Sequence, residues 1–157
     1  MSTAAIVALV VRYGLVMLFL PFSALDKVLG FEGAVSQAQE VFKPRAVAVA
    51  VIICGLGVEV IMSLGVVTGF VDRLAALVMA AYCAVTAFLF KRFWATGDFW
   101  AAGDSKGRTL FWDFLKNLSL GAGFLLIVIG TDGSGLWPFL AHPLASSHPY
   151  ASSPAHP

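Results

Sequence analysis

Several polar and charged side chains stand inside or at the edge of long apolar stretches of this sequence. Arg12 and Glu59 are each the only charged residue of their stretch, and Asp113, Lys116 and Asn117 stand together at the start of another. Such groups can pair, bind a ligand or move a proton, and ionisable residues within a membrane span often mark a site of this kind. The candidate polar network is Arg12, Glu59, Lys116 and Asn117.

Arg12 needs a partner if its stretch crosses a membrane. It lies near the middle, about 12–15 Å from either headgroup layer, which is beyond the reach of its side chain. A cation that faces lipid there costs from about 2.5 to more than 10 kcal/mol. Glu59 has the opposite sign and a central position in the next stretch, which is an expected antiparallel neighbour. The sequence predicts a buried Arg12–Glu59 ion pair, with a structural role and a ligand or proton site as open alternatives.

The polar residues of the last apolar stretch divide into two kinds. Asp113 and Lys116 are spaced i and i+3, so they share a helix face and can neutralise each other. The lysine stem can also extend to the headgroups, with Trp112 anchoring the helix end. Asn117 lies deeper, and its amide is predicted to face another helix and form a hydrogen bond there.

The composition requires a membrane as solvent. The chain has 157 residues, of which 59% are hydrophobic and 12% charged, and its mean hydropathy is +0.88. Soluble domains have about 45–50% apolar and about 25% charged residues. The net charge of +1 and the lack of a dense basic run give no reason to expect nucleic-acid binding.

Four stretches have the length of about 20 residues that a helix needs to cross the hydrocarbon layer. They are residues 4–24, 46–71, 73–90 and 110–131. The predicted fold is all-α, a membrane four-helix bundle over residues 1–132, with a short amphipathic interfacial helix between the first and second spans. Residues 133–157 are rich in Pro, Ser and Ala, which predicts a disordered tail.

Basic residues predict the orientation. The loops after the first and third spans contain Lys27, Lys43, Arg45, Lys91, Arg92, Lys106 and Arg108. The opposite side has only Arg73. The positive-inside rule then places both larger loops in the cytoplasm and both termini outside, in a multi-pass protein of a bacterial inner membrane. The first stretch lacks a basic start and a cleavage site, so we expect it to be retained as a span rather than removed as a signal peptide.

Other reactive residue types show no organised pattern. Cys54 and Cys83 lie far apart in apolar runs, as small core residues do. The three histidines lie at irregular spacing in the tail, so no metal site is expected. Nucleotide-binding and hydrolase motifs are also missing from the sequence, and we expect no covalently bound cofactor.

Four segments together resemble the DoxX family of small four-helix membrane proteins. They are "LFLPFSALDKVLGF" at 18–31, "GVEVIMSLGV" at 57–66, "RLAALVMAAYCAVTAFLFKRFW" at 73–94 and "FLKNLSLGAGFLL" at 114–126. The resemblance covers roughly residues 8–130 and includes the arginine of the first helix, the glutamate of the second and the Lys-Asn pair of the fourth. The secondary site candidates are Asp26, Lys27 and Asp113. A histidine common after the third helix is replaced by Lys91, which cannot offer a neutral imidazole and which, with Arg92, is suited to anionic headgroups.

The resemblance implies a role in a membrane redox complex. The name-giving members are a subunit of a thiosulfate:quinone oxidoreductase or its terminal oxidase partner, and others are found with redox enzymes in membrane complexes. Some relatives act as assembly factors, and most members have no assigned activity. The chain is expected to contact membrane lipid and a partner redox protein and to offer a quinone site lined by the polar network, without a redox centre or catalysis of its own. The alternatives are a non-enzymatic scaffold or assembly factor and, less well supported by four helices without an internal repeat, a small-solute transporter. Homo-oligomers are left open.

Overall fold

The computed structural model of the protein describes residues 3–130 and 135–151, and those residues form helices without any strand. The α-helices are α1 (Thr3–Val16), α2 (Ala24–Leu29), α3 (Phe31–Gln39), α4 (Arg45–Thr68), α5 (Asp72–Phe90), α6 (Lys106–Ile129) and α7 (Trp137–Ala141). A π-helical turn over Leu18–Ser23, here called the π-segment, joins α1 to α2, and a 3₁₀ turn over Phe93–Ala95 follows α5.

Four helical stretches are long and apolar enough to cross a membrane. They are Thr3–Leu29, Arg45–Thr68, Asp72–Ala95 and Lys106–Ile129. The predicted all-helical membrane bundle is therefore confirmed. The first span runs five residues past its predicted end at residue 24, and the fourth begins four residues before its predicted start at residue 110. Both differences arise because charged residues at span ends continue the helix although they lower the local hydropathy.

Small residues let the central helix α5 pack closely between α4 and α6. Ala75, Ala76 and Ala80 are at least 93% buried. A Cβ added at Gly65 of α4 would lie 2.9 Å from the Cβ of Ala75, and one at Gly121 of α6 would lie 3.5 Å from that of Cys83. Close backbone approach of this kind replaces the hydrophobic effect as the source of helix association in lipid.

The first span is broken in its middle. Leu20 has φ −122° and ψ 110°, which is extended rather than helical backbone, and Pro21 has no N–H to donate. In the hydrocarbon region, irregular backbone is tolerated only where it is buried in protein or lines a cavity. The break at Leu20 therefore indicates a cavity beside the π-segment.

The short helix predicted between the first and second spans is α3. Val35 and Ala38 are completely buried against Ala48 and Ile52 of α4. These contacts hold α3 against one end of the bundle, which also includes the loop over residues 91–105. We call this end the loop side.

The loop over residues 91–105 is tied to the start of α6. The carboxylate of Asp98 accepts hydrogen bonds from the backbone N–H of Lys106 at 2.7 Å and of Gly107 at 3.0 Å. Ser105 is the N-cap and accepts from the N–H of Arg108. The Thr96 hydroxyl and these N–H groups hold the pKa of Asp98 below its usual value.

The opposite end of the bundle is covered by the segment over residues 135–151, which we call the strap. Ser146 donates a hydrogen bond to the carbonyl of Gly69, and the Tyr150 hydroxyl donates to the carbonyl of Val67. Residues 133, 134 and 152–157 of the predicted tail lie outside the described residues. The disorder expected of that tail stays a prediction.

Candidate functional site

Glu59 lies at the centre of a polar cluster in the middle of the bundle. It is 1% exposed, and its carboxylate accepts hydrogen bonds from Lys27 Nζ at 2.8 and 3.0 Å. Ser23 Oγ donates to it at 3.0 Å and Tyr82 Oη at 2.8 Å. Lys27 also donates to Ser23 at 2.6 Å. Donors from the π-segment, α2 and α5 therefore converge on one carboxylate of α4.

The break in the first span places two of these donors. Ser23 ends the π-segment, and Lys27 follows one turn later in α2. The 21% exposed side chain of Lys27 contacts both the open space beside the cluster and the buried carboxylate. A lysine at the end of a span thus reaches inward to a carboxylate instead of outward to the headgroups.

The predicted Arg12–Glu59 ion pair is wrong. Arg12 Nη1 lies 2.7 Å from Asp72 Oδ2, and the two side chains are 8% and 0% exposed. Arg12 also donates to the carbonyl of Val66 and to the Ser147 hydroxyl. Two facts of geometry explain the difference: α5 begins at Asp72, on the helix end that faces Arg12, and Lys27 already neutralises Glu59.

The strap completes the Arg12–Asp72 cluster. Ser147 donates to the Asp72 carboxylate through both its backbone N–H and its hydroxyl. Nearby, Arg73 Nε donates to the carbonyl of Val128 at 2.9 Å, near the end of α6. A cation that binds free carbonyls at a helix C-terminus stabilises the helix. The Arg12–Asp72 cluster is thus fully bonded within the chain, and it closes the strap end of the bundle.

A cavity of about 880 Å³ opens beside Glu59. Its walls come from the π-segment, α2, α3, α4 and α5, with Asn117 from α6. The polar residues of the lining are Ser23, Asp26, Lys27, Gln37, Glu59, Tyr82, Thr86, Lys91 and Asn117. Its apolar lining includes Leu18, Phe22, Val51, Val85 and Leu89. The cavity extends from the loop side, where Asp26, Gln37 and Lys91 lie, inward to Glu59.

The four predicted network residues therefore separate into three places. Glu59 and Asn117 line the cavity, Arg12 lies in the strap-end cluster, and Lys116 lies outside both. Asn117 donates to Thr86 of α5 at 3.4 Å, so the predicted contact with another helix is confirmed. The side chain of Lys116 is 71% exposed and lies 3.5 Å from Asp113, the predicted i,i+3 pair.

The secondary candidates are also placed by the structure. Asp26 is exposed and lines the cavity, whereas Lys27 binds Glu59 directly. Asp113 contacts Lys91 at 3.2 Å as well as Lys116. Lys91 therefore has an acidic side chain as its partner.

Sequence reasoning missed Asp72, Tyr82 and Ser23. Asp72 lies between the predicted spans 46–71 and 73–90, and Tyr82 lies within the second of these without interrupting its apolar run. One available signal was a tyrosine in the centre of an otherwise apolar helix, since the hydroxyl of a buried tyrosine normally needs a partner. Another was the i,i+4 spacing of Ser23 and Lys27, which puts the hydroxyl and the ammonium on one face.

The charges of the lining favour an uncharged ligand. Two carboxylates, Asp26 and Glu59, are matched by two ammonium groups, Lys27 and Lys91. Within the described residues, no group of His, Cys, Asp and Glu side chains is arranged to hold a metal ion. The site thus offers hydrogen-bond donors and a buried carboxylate at one end and an apolar wall along its length.

Comparison with known proteins gives two matches. A model of the DoxX family matches residues 7–92, more than half of the chain, and this part contains Lys27, Glu59 and Tyr82. The chain is also similar to inner membrane protein YphA of Escherichia coli (strain K12), with 28% identity over 129 residues. That alignment covers 82% of this chain and 86% of the relative. No solved structure gives a significant match.

Proposed function

This chain belongs to the DoxX family of membrane proteins, and from that premise we propose that it is a membrane subunit that binds a quinone in the cavity beside Glu59. A partner redox enzyme supplies the electrons. The observation that carries the proposal is the cavity itself, in which Lys27, Tyr82 and Glu59 form a hydrogen-bonded cluster at the inner end of an apolar chamber.

The size and chemistry of the cavity support a quinone. Ligand pockets have volumes of about 300–1,000 Å³ and combine a mostly apolar lining with a few polar groups that fix the ligand. The cavity volume of about 880 Å³ lies in this range. A quinone is uncharged and has two carbonyl oxygens that accept hydrogen bonds. The Asn117 amide has a second N–H beside the one that it donates to Thr86, and the Lys27 ammonium has three N–H groups, so these two side chains are the donors in the lining.

The cluster also supports proton exchange. Reduction of a quinone to a quinol takes up two electrons and two protons. The electrons come from the partner enzyme, and the protons reach the ligand oxygens from donors of this chain. Glu59 is linked to Lys27, and Lys27 is in contact with the open part of the cavity on the loop side. Proton transfer along hydrogen-bonded side chains requires such short contacts.

A scaffold or assembly factor is the second candidate. It is favoured by the Arg12–Asp72 cluster, which is saturated by Val66 and Ser147 and serves to join α1, α4, α5 and the strap. A scaffold predicts that substitutions in the Glu59 cluster lower the amount of the partner enzyme without changing its turnover per molecule. A quinone-binding subunit predicts that the same substitutions lower the turnover per molecule of the partner enzyme without changing its amount.

The two cysteines offer a direct binding assay. Cys54 is exposed and lines the cavity, whereas Cys83 is 1% exposed and serves as an internal control. In purified protein in detergent, ubiquinone-2 is expected to slow the alkylation of Cys54 in a saturable manner. Alkylation of Cys83 should stay slow with or without quinone. Unchanged Cys54 kinetics at saturating ubiquinone-2 would contradict binding in this cavity.

Substitutions of the donors in the cavity lining test where the quinone headgroup binds. Asn117→Leu and Lys27→Met each remove a donor, so each should weaken ubiquinone-2 binding by roughly 5- to 10-fold, the equivalent of about one hydrogen bond. Arg45→Gln is the matched control, because Arg45 pairs with Glu32 at 2.8 Å on the exposed surface outside the cavity. Equal loss of affinity in the control would show a general effect on the fold.

A further inference from the structure

A second opening lies on the outside of the bundle next to the cavity. It is a groove of about 610 Å³ between the π-segment and α6, lined by Leu18, Trp112, Leu115, Lys116, Ser119 and Leu120. Leu18 lines both this groove and the cavity beside Glu59. One side chain therefore stands between the cavity and the lipid-facing surface of α6.

The packing of α1 against α6 changes over one helical turn at this place. A Cβ added at Gly123 of α6 would lie 2.7 Å from Leu15 Cδ2, so the two helices are in close contact there. One turn further along the first span, Leu18 is 49% exposed and the groove begins. The helices thus meet at Leu15 and separate at Leu18.

The backbone behind Leu18 is already irregular. The extended conformation of Leu20 interrupts the regular hydrogen bonding of the first span. The Leu18 side chain can change rotamer without disturbing a packed helix interface, because it faces the groove on one side and the cavity on the other. Rotamer changes of exposed side chains occur within picoseconds to nanoseconds.

We propose that the gap at Leu18 is a lateral portal, through which the isoprenoid tail of a quinone leaves the cavity while the headgroup stays beside Glu59. This inference rests on the proposed function and deepens it, because it assigns the ligand class as prenylated quinones. Membrane quinones have tails that are too long for the cavity to enclose, and the tail needs an apolar exit at the depth of the hydrocarbon layer. The apolar groove at Leu115 and Leu120 continues that exit along α6.

The portal makes Leu18 a residue that determines specificity for the tail. A tryptophan at this position would fill the gap and obstruct the tail, but Leu18 also lines the cavity, so this variant can affect the headgroup as well. Ser119 is exposed on the α6 side of the same groove, so Ser119→Trp fills it from the other wall. Two independent variants therefore test one opening.

The experiment compares 2,3-dimethoxy-5,6-dimethyl-1,4-benzoquinone, here called the tail-less quinone, with ubiquinone-4 in the Cys54 protection assay. Both rings are fully substituted, so neither quinone adds readily to the Cys54 thiol. Leu18→Trp and Ser119→Trp are each expected to weaken ubiquinone-4 binding by about tenfold or more, the equivalent of about two displaced methylene groups. Ser119→Trp, whose site lies outside the cavity, should bind the tail-less quinone within about twofold of wild type. Leu25→Trp is the control, since Leu25 is 53% exposed and lines neither opening. Elution volume and thermal midpoint in detergent show that each variant is folded, and Ser119→Trp alone is sufficient.

The outcomes separate the two proposals. If the tail-less quinone and ubiquinone-4 bind to wild type but Ser119→Trp weakens both equally or neither, the portal is wrong and the quinone site stands. If neither quinone protects Cys54 in wild type, the quinone site fails and the portal fails with it. Loss of ubiquinone-4 binding in Leu25→Trp as well would also overturn the portal, because tail binding would then not depend on this gap.

Discussion

The Arg12–Asp72 ion pair gives the sharpest test of the structure, because the sequence alone predicted a different partner for Arg12. The perturbation is Arg12→Met, Asp72→Asn and the two together. The charged atoms lie 2.7 Å apart, and the side chains are 8% and 0% exposed. Removing one member leaves the other buried without its countercharge, which costs about 3–5 kcal/mol of stability in comparable buried pairs.

The double variant should lose much less than the sum of the single losses. With both charges removed, no uncompensated ion remains, so we expect a coupling energy of about 2–3 kcal/mol between Arg12 and Asp72. A parallel double-mutant cycle compares Arg12→Met and Glu59→Gln with the variant that carries both substitutions. Because Glu59 binds Lys27 instead, the losses in this second cycle should add to within about 0.5 kcal/mol. The assay is reversible unfolding in mixed micelles with increasing sodium dodecyl sulfate, followed by circular dichroism.

One pattern of results would refute the reasoning. It is a large coupling between Arg12 and Glu59 together with additive losses for Arg12 and Asp72. That pattern would mean that the first span is rotated or shifted relative to α4 and α5, and the cavity beside Glu59 would then have a different lining. A third cycle with Lys27→Met and Glu59→Gln provides a positive control, since those groups lie 2.8 Å apart.

Three further predictions concern the ends of the helices and can be checked by the same unfolding assay. Arg73→Gln should cost about 2–3 kcal/mol, because the guanidinium donates to free carbonyls at the end of α6; a loss below about 0.5 kcal/mol would show that these bonds do not support the helix. Gly107→Ala should destabilise by about 1–3 kcal/mol, since its Cβ would lie 2.5 Å from Thr96 Oγ1, whereas Gly33→Ala has nothing within 4 Å and should be neutral or stabilising. The pKa of Asp98 is lowered in the folded state, so its contribution is present above the unfolded value of about 4 and is lost as the pH falls through the folded value. The stability difference between wild type and Asp98→Asn should therefore be largest near neutral pH and shrink on acidification, and a constant difference would contradict the capping role.

The features set by length and local spacing were predictable from the sequence. Apolar runs of about 20 residues determine the four spans, because a helix must satisfy its own backbone in lipid. The i,i+3 spacing of Asp113 and Lys116 was enough to predict their contact. Asn117 was predicted to bond to a neighbouring helix because its short side chain cannot reach water from that depth.

The partners of Arg12 and Glu59 could not be predicted in the same way. Hydropathy ends a span where the apolar run gives way to polar residues, so Lys27 and Asp72 fall outside the predicted spans although both lie within helices that continue them. The rotation of each helix and the break at Leu20 then decide which charges meet, and neither follows from the pattern of apolar residues. A cavity is also a property of packing, so its volume and opening needed three-dimensional coordinates.

The pairing of Arg12 with Asp72 has a consequence for how the protein is made. The ribosome delivers the first span with Arg12 and Lys27 before Glu59 or Asp72 exists, and an unpaired arginine within a membrane span is costly. Synthesis of α4 brings Glu59 to Lys27, but Arg12 has to wait until residue 72 emerges. We therefore expect the nascent first helix to be held by the insertion machinery until the third span begins. Ser147, which binds both members of the pair, is synthesised later still.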